Sequence, residues 1–167
     1  MAVWYQVEKT EEGLQQFLES NCEFHDYRIE RVDYHAAEDY TDVYLAYDTG
    51  TEGVLIRFLG MIRLTIPLGR LYAGAWLSGT TVFVSERYSI VWIPEEDCDD
   101  PGTEEERERI MLHYGWIEAE EICWAVTDAE GNPVEMPADR MSSKSENVPN
   151  MMNHKRQMIW NCRCVDN

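Results

Sequence analysis

Basic side chains are scarce in this chain. Its 167 residues include 14 lysines and arginines against 32 aspartates and glutamates, for a formal net charge of −18 at pH 7. A polyanion of this strength repels phosphate backbones and anionic lipid headgroups. We therefore expect neither nucleic acid nor a membrane as a partner, and a basic protein or a cation to be attracted. The alternative is that the excess of acidic residues serves only to keep the protein soluble.

Long apolar runs and a regular cysteine pattern are also missing. No stretch approaches the roughly 20 apolar residues of a membrane-spanning helix, and Arg57 and Arg63 interrupt the longest apolar run. Residues 1–8 have neither a basic start nor a long apolar segment, so we expect no signal peptide. Five scattered cysteines fit a reducing cytosol better than a disulfide framework. These features predict a cytoplasmic protein.

Motifs for nucleotide and hydrolase chemistry are absent from the sequence. There is no phosphate loop, dinucleotide fingerprint, serine-hydrolase elbow or zinc-protease helix. We therefore expect no cofactor, and we favour binding over catalysis.

The apolar content is sufficient for one globular domain. Hydrophobic residues make up 44% of the chain and aromatic residues 11%, which argues against disorder. No internal repeat or linker divides the sequence. The sequence therefore predicts a single domain over residues 1–167.

The clearest pattern lies in residues 54–66. Its even positions are apolar apart from Gly60, and its odd positions are mixed and include Arg57 and Arg63. A period of two predicts a strand that is buried on one face and partly wet on the other. Because such a strand is longer than most, Gly60 predicts a bulge, a bend, or a turn between two shorter strands.

The rest of the chain predicts short strands and two helices. Thr10 is the expected N-cap of the first helix, and Thr103 with Glu106 forms the capping box of a second over 103–114. Strands are expected at 2–7, 24–35, 42–48, 80–85, 88–93, 121–127 and 157–165, and residues 71–77 form an apolar stretch rich in small residues that Gly79 ends. In the strand over 24–35, a bulge is needed to bring Ile29 and Val32 to one face. The chain is therefore α+β. About seven to nine mostly antiparallel strands form a sandwich or an open barrel, with two short helices packed outside.

Phe24-His25-Asp26 is the most compact polar constellation. A histidine beside an aspartate can act as a base and its orienting group. Together with Arg57 and Arg63 it would line a pocket for a small ligand or substrate. However, neighbours on a strand point to opposite faces, and no nucleophile accompanies them. We therefore favour a structural role, in which one of the two side chains bonds the backbone at the helix-to-strand junction.

The same region carries a resemblance. A short N-terminal helix, Phe24-His25-Asp26 with Ile29 after it, and then Arg57-Phe58-Leu59-Gly60 resemble families of small uncharacterised bacterial proteins. Some of these are classed as immunity proteins of polymorphic toxin systems. The resemblance covers residues 14–66. It implies a β-rich fold with a helix packed on the sheet, no enzymatic activity and no catalytic residues.

Acidic residues concentrate in residues 95–121, which hold 12 acids and 2 arginines. We expect this segment to engage a basic protein, such as a toxin domain that the chain would neutralise. Its first part supplies the candidate binding residues Glu95, Glu96, Asp97, Asp99 and Asp100. His25, Asp26, Arg57 and Arg63 are the other candidates.

Part of this segment resembles a calcium-binding loop. Asp97, Asp99, Gly102 and Glu108 occupy the first, third, sixth and twelfth positions of the ligand pattern. Pro101 occupies the fifth, where an oxygen ligand is expected. A solvated acidic loop is therefore favoured over a calcium site at Asp97, Asp99 and Glu108.

Two cysteines near the end of the chain give a weaker zinc signal. Cys162 and Cys164 share one face of the last predicted strand, and only tertiary contact would add His154 or Cys123. Buried structural cysteines are the favoured interpretation.

Overall fold

A computed structural model describes residues 3–47, 50, 52–65, 75–94, 105, 109 and 115–135. One α-helix, α1 (Glu11–Ser20), is followed by a short 3₁₀ turn (Cys22–Phe24). The strands are β1 (Tyr5–Gln6), β2 (Tyr27–His35), β3 (Tyr40–Tyr47), β4 (Glu52–Thr65), β5 (Ala75–Trp76), β6 (Thr81–Val84), β7 (Ile90–Ile93) and β8 (Trp116–Asp128). None of the helices in these ranges is long and apolar enough to cross a membrane.

The eight strands form one antiparallel sheet in the order β5-β2-β3-β4-β8-β7-β6, with β1 paired to β8. The prediction of a mostly antiparallel fold is thereby confirmed. The predicted sandwich or open barrel is replaced by a single open sheet, which the described strands form. The reason lies in β8, which is long enough to hold β4 along one edge and both β7 and β1 along the other.

Helix α1 is confirmed where its capping and apolar spacing place it. The Thr10 side chain accepts a hydrogen bond from the Gly13 N–H at 3.0 Å, and Glu11 and Glu12 stand in the first turn, where the helix dipole favours acids. Leu14 and Phe17 are buried. The second predicted helix lies outside the described residues apart from positions 105 and 109, which both have helical backbone.

The main core lies between α1 and one face of the sheet. It is built from alternate residues of β2, β3, β4 and β8, which α1 covers through Leu14 and Phe17. Its largest completely buried side chains include Trp92, Tyr27, Phe24, Phe58 and Ile122. Phe83, Val91, Ile93 and Trp116 form a separate, smaller cluster. The sheet face opposite the main core, here called the outer face, carries most of the polar groups of β2, β3 and β4.

The long strand β4 bends where glycine predicts it. Gly60 has φ +62°, and the register with β8 shifts between Met61 and Arg63. The single apolar face predicted over residues 54–66 is therefore interrupted after Phe58 and resumes at Leu64, which packs against the core, while Ile66 lies outside the described residues. Met61 packs against the core, whereas Ile62 is 41% exposed. The left-handed glycine and the extra residue change which side chains face inward.

Several strand boundaries also differ from the predictions. Strand β2 begins at Tyr27, and its register shift between Ile29 and Arg31 is the predicted bulge, which leaves Val32 packed against the core. Strand β8 begins at Trp116, inside the acidic segment, rather than at residue 121, and the short strand β5 (Ala75–Trp76) was not predicted. The strand predicted over 157–165 lies outside the described residues.

Candidate binding surfaces

Cross-strand pairing brings a polar row onto the outer face. Asp33 pairs with Asp42, Asp42 with Arg57, Arg57 with Cys123, and Cys123 with Gln6, on five neighbouring strands. Residues directly opposite each other in an antiparallel sheet share a face and interact. The row therefore lies across the middle of the sheet, on the side away from the main core.

Arg57 is the centre of this row. Its Nε and Nη2 donate to Asp42 Oδ1 and Oδ2, both at 2.8 Å, in a bidentate pair. Its guanidinium carbon also lies 4.2 Å from the ring centre of Tyr40 and 4.7 Å from that of Trp4. The hydrogen bond with Asp42 raises the pKa of Arg57 above its ordinary value, against the lowering effect of burial. The planar fork of this arginine is thus already engaged by a carboxylate of its own chain.

Two further arginines repeat the arrangement on β2. Arg28 pairs with Glu30 and lies 5.5 Å from the ring centre of Trp76. Arg31 pairs with Asp33 and lies 5.8 Å from the ring centre of Tyr44. The outer face therefore carries three arginine–carboxylate–aromatic units, here called the arginine units: Arg28/Glu30/Trp76, Arg31/Asp33/Tyr44 and Arg57/Asp42/Tyr40 with Trp4.

A histidine extends the ring contacts of the third unit. The His35 ring stacks on Tyr40 with centres 4.2 Å apart and planes 21° apart. Tyr40 therefore contacts a ring on β2 and a guanidinium on β4. Such contacts restrict the rotation of the Tyr40 side chain, and the third unit is held in one geometry.

Cys123 lies beside Arg57 but is poorly suited to nucleophilic chemistry. Burial raises the pKa of its thiol, and the Asp42 and Glu121 carboxylates add to this, against the lowering effect of Arg57. The reactive form of cysteine is the thiolate. A half-buried thiol with a raised pKa stays protonated at neutral pH, so this row has no ready cysteine nucleophile.

Arg63 does not join Arg57 in one pocket. It lies beyond the bend at Gly60, and its guanidinium carbon is 5.2 Å from the ring centre of Trp116. The described contacts of Arg57 and Arg63 have no residue in common. The small-ligand pocket that the sequence places at His25, Asp26, Arg57 and Arg63 is therefore not assembled by the contacts of the described residues.

His25 and Asp26 lie in a turn before β2, not on a strand. His25 Nδ1 is 2.9 Å from Asp26 Oδ2, and the two side chains are 57% and 56% exposed. The predicted side-chain bond to the backbone is replaced by this mutual pair. The argument from opposite strand faces does not apply, because Asp26 has a left-handed backbone with φ +65°.

The cause of this turn is the burial of Phe24. Cys22, Glu23 and Phe24 also have positive φ, which is costly for residues other than glycine. In return the Phe24 ring is completely buried, 5.2 Å from Phe17 and 5.7 Å from Tyr27 between ring centres. The Asp26 N–H donates to the Leu77 carbonyl, which ties the turn to the chain beside β5.

A second polar surface lies on α1 and its flanks. Its exposed acids, here called the acidic helix surface, are Glu8, Glu11, Glu12, Glu19, Glu23 and Asp26. The helix itself contains no lysine or arginine. This surface lies on the opposite side of the sheet from the arginine units, because α1 covers the core face.

The predicted acidic segment is only partly described. Positions 95–104 and 108, which include Glu95, Glu96, Asp97, Asp99, Asp100 and Glu108, lie outside the described residues, as do Cys162, Cys164 and His154. In its last part Glu118 is buried and accepts a hydrogen bond from the Ser89 hydroxyl at 2.6 Å, whereas Glu120 and Glu121 are exposed. In the part of the chain that is described, no group of three His, Cys, Asp or Glu residues could hold a metal ion.

The sequence analysis missed Asp42, Tyr40 and Trp4. A signal for Asp42 was present, since a hairpin closed near Gly50 places Asp42 opposite Arg57 and makes an ion pair on one face. The contact with Trp4 had no such local signal, because it depends on β1 pairing with β8.

Comparison with known proteins gives no relative. No protein-family model, curated protein or solved structure matches this chain.

Proposed function

We propose that this chain is a cytoplasmic, non-catalytic binding protein that engages a basic protein through its acidic surface. The observation that carries the proposal is the distribution of charge. Arg28, Arg31 and Arg57 each pair with a carboxylate on the same sheet, and the exposed acids on the rest of the described surface greatly outnumber the exposed bases.

The exposed ionisable residues make this imbalance explicit. The exposed bases in the described ranges are Arg31, Arg63, Arg87 and Arg109. The exposed acids are Glu8, Glu11, Glu12, Glu19, Glu23, Asp26, Glu38, Asp39, Glu86, Glu105, Glu120, Glu121, Glu130 and Glu135. A surface of this kind attracts a cationic partner over long range and repels nucleic acid.

The chemistry of such a partner follows from the carboxylates. A protein that binds nucleic acid presents lysines and arginines spaced to meet phosphates. Exposed carboxylates can occupy the same groups and mask them. This supports the role that the resemblance implies, in which an immunity-type protein neutralises a basic toxin domain. The acids at 95–100 would add to this surface.

The alternative of a ligand pocket or enzyme receives less support. Arg57, its expected anion contact, has both Nε and Nη2 committed to Asp42. The His25–Asp26 pair is more than half exposed, so water competes with any substrate for it. A general base needs a defined reacting group within hydrogen-bond reach, and an exposed pair of side chains does not by itself hold a substrate there.

Capture of the partner tests the proposal. Full-length tagged protein would be cross-linked in its native cells, and co-purified proteins quantified by mass spectrometry at low and high salt. We expect a stoichiometric partner of basic composition whose recovery falls as salt rises, because exposed charges are screened. Recovery of no basic partner, or of one that salt does not affect, would contradict the proposal.

A further inference from the structure

We infer that the basic partner docks on the outer face of the sheet, against the aromatic rings of the arginine units, and that the acidic helix surface only steers its approach. This inference rests on the proposed function, because it names where that same partner binds. It assigns a docking role to Trp4, Tyr40, Tyr44 and Trp76.

The composition of the outer face supports this assignment. Tryptophan, tyrosine and arginine are the residues most enriched among those that dominate binding energy at protein interfaces. Apart from their carboxylates, the arginine units consist of these three residue types alone. Trp76 is 54% exposed, and Trp4, Tyr40 and Tyr44 are partly exposed. Each ring therefore offers surface that its own arginine does not cover.

The ion pairs also hold this face ready for binding. Arg57 is fixed by two hydrogen bonds to Asp42 and by two rings, and Tyr40 is fixed by His35. Side chains that are already ordered lose less entropy when a partner binds. The acids of α1 differ in this respect. Of their side chains, only Glu19 has a described side-chain partner on the helix, Gln15.

Charge complementarity selects the kind of occupant. The arginine units carry no net charge, because each guanidinium is matched by a carboxylate. Around them stand exposed acids. Glu38 and Asp39 lie in the β2–β3 turn, and Glu121 accepts from Gln6 at 3.2 Å. Glu130 is in the turn whose Gly131 lies beside the Tyr44 ring. A lysine- or arginine-rich surface could place cations on the exposed parts of the Trp4, Tyr44 and Trp76 rings and pair with these acids. The faces of the Tyr40 ring are already covered by His35 and Arg57.

A defined basic probe can test the location directly. We would titrate the full-length, isotope-labelled protein with a nona-arginine peptide and follow backbone amide and indole N–H shifts by NMR. We expect the largest changes on β3 and β4 around Tyr40 and Tyr44 and at the Trp4 and Trp76 indoles. Changes confined to α1 would overturn the inference.

Variants sharpen this experiment. Replacing Trp76→Ala or Trp4→Ala should each weaken peptide binding by about two- to five-fold, the loss expected for one exposed cation–π contact. Tyr34→Ala is the matched control, because Tyr34 is 58% exposed but shares its cross-strand row with Thr41 and Phe58, on the core side. Trp76→Ala removes an exposed ring from a two-residue edge strand, so a folded protein is expected, and its circular dichroism would verify this.

The outcomes separate the two proposals. Binding that is weakened by Trp76→Ala and unchanged in Tyr34→Ala supports docking on the outer face. Binding that is weakened only by Glu11→Gln with Glu12→Gln overturns it and leaves the proposed function standing. Failure of the wild-type protein to bind the peptide at low salt would overturn both.

Discussion

Removal of the Asp42 carboxylate tests the organisation of the outer face most sharply. The Asp42 side chain is 12% exposed and that of Arg57 is 29% exposed, so the pair is largely shielded from water. Asp42→Ala deletes two charge-assisted hydrogen bonds and leaves the guanidinium without its partner. Hydrogen bonds to charged groups contribute about 1.5–3 kcal/mol to stability. Because water still reaches Arg57, we expect a loss of about 2 kcal/mol, near the lower end of that range.

The loss in the free energy of unfolding can be measured by urea unfolding. In thermal unfolding, a loss of about 2 kcal/mol corresponds to a fall in Tm of roughly 4–8 °C for a domain of this size. Asp42→Asn keeps the shape of the side chain and removes its charge, so it should cost nearly as much. Asp33→Ala is the matched control, because the Arg31–Asp33 pair is 61% and 41% exposed. Its effect should stay within about 0.5 kcal/mol, as for other exposed ion pairs.

A double-mutant cycle identifies the cause. Arg57→Met removes the charge that Asp42→Ala would leave unpaired, so the double variant should be more stable than the sum of the single effects predicts. We expect a coupling energy of about 1–2 kcal/mol, as is usual for residues in direct contact. Additive effects, or a loss at Asp42 no larger than that at Asp33, would refute the view that this pair organises the outer face.

Three further predictions concern single positions. Gly60→Ala should lower the free energy of unfolding in urea by about 1–3 kcal/mol, because φ is +62° and the new Cβ would stand 2.8 Å from Glu120 Oε2. An unchanged free energy of unfolding would show that the bend at residue 60 is not fixed. The pKa of Asp128 is lowered, chiefly by the Asn132 backbone N–H. The stabilisation from the Asp128 carboxylate is therefore present above the unfolded pKa of about 3.9 and lost as pH falls through the lower folded pKa. Asp128→Ala should lower the stability measured by urea unfolding more at pH 7 than at pH 2, and equal losses at both would contradict this. Cys123 should react with iodoacetamide more slowly in the folded protein than in urea at pH 8, as measured by peptide mass spectrometry, because burial raises its thiol pKa; equal rates would contradict this.

Local signals in the sequence were sufficient for α1 and for the first half of β4. The Thr10 cap and the spacing of Leu14 and Phe17 act within two helical turns, so they do not depend on the rest of the fold. The alternation from Val54 to Phe58 likewise needs only one buried face. These patterns succeeded because each is set by neighbouring residues.

The remaining features depend on contacts between distant segments. The left-handed turn before Tyr27 contains no glycine, and it exists because burying Phe24 against Phe17 offsets the backbone strain. The change of inward-facing residues in β4 was foreseeable as a bend at Gly60, but its direction depends on how β8 follows it. A period of two cannot report such a change, because it assumes that the alternation continues.

The outer face shows the same dependence in its charges. Arg57 and Arg63 both fall on the mixed face of one strand, which suggested a shared pocket. The sheet instead gives each arginine its own ring, and it gives Arg57 a carboxylate from β3. An arginine that is already paired with a carboxylate of its own sheet is not free to bind an anion. Such an arginine indicates a candidate protein interface rather than a candidate anion site. Because these arginines are neutralised within the sheet, the acids of α1 are left to attract a partner over long range, and salt screens that attraction. The rings of the outer face act only at contact distance, where salt has less effect.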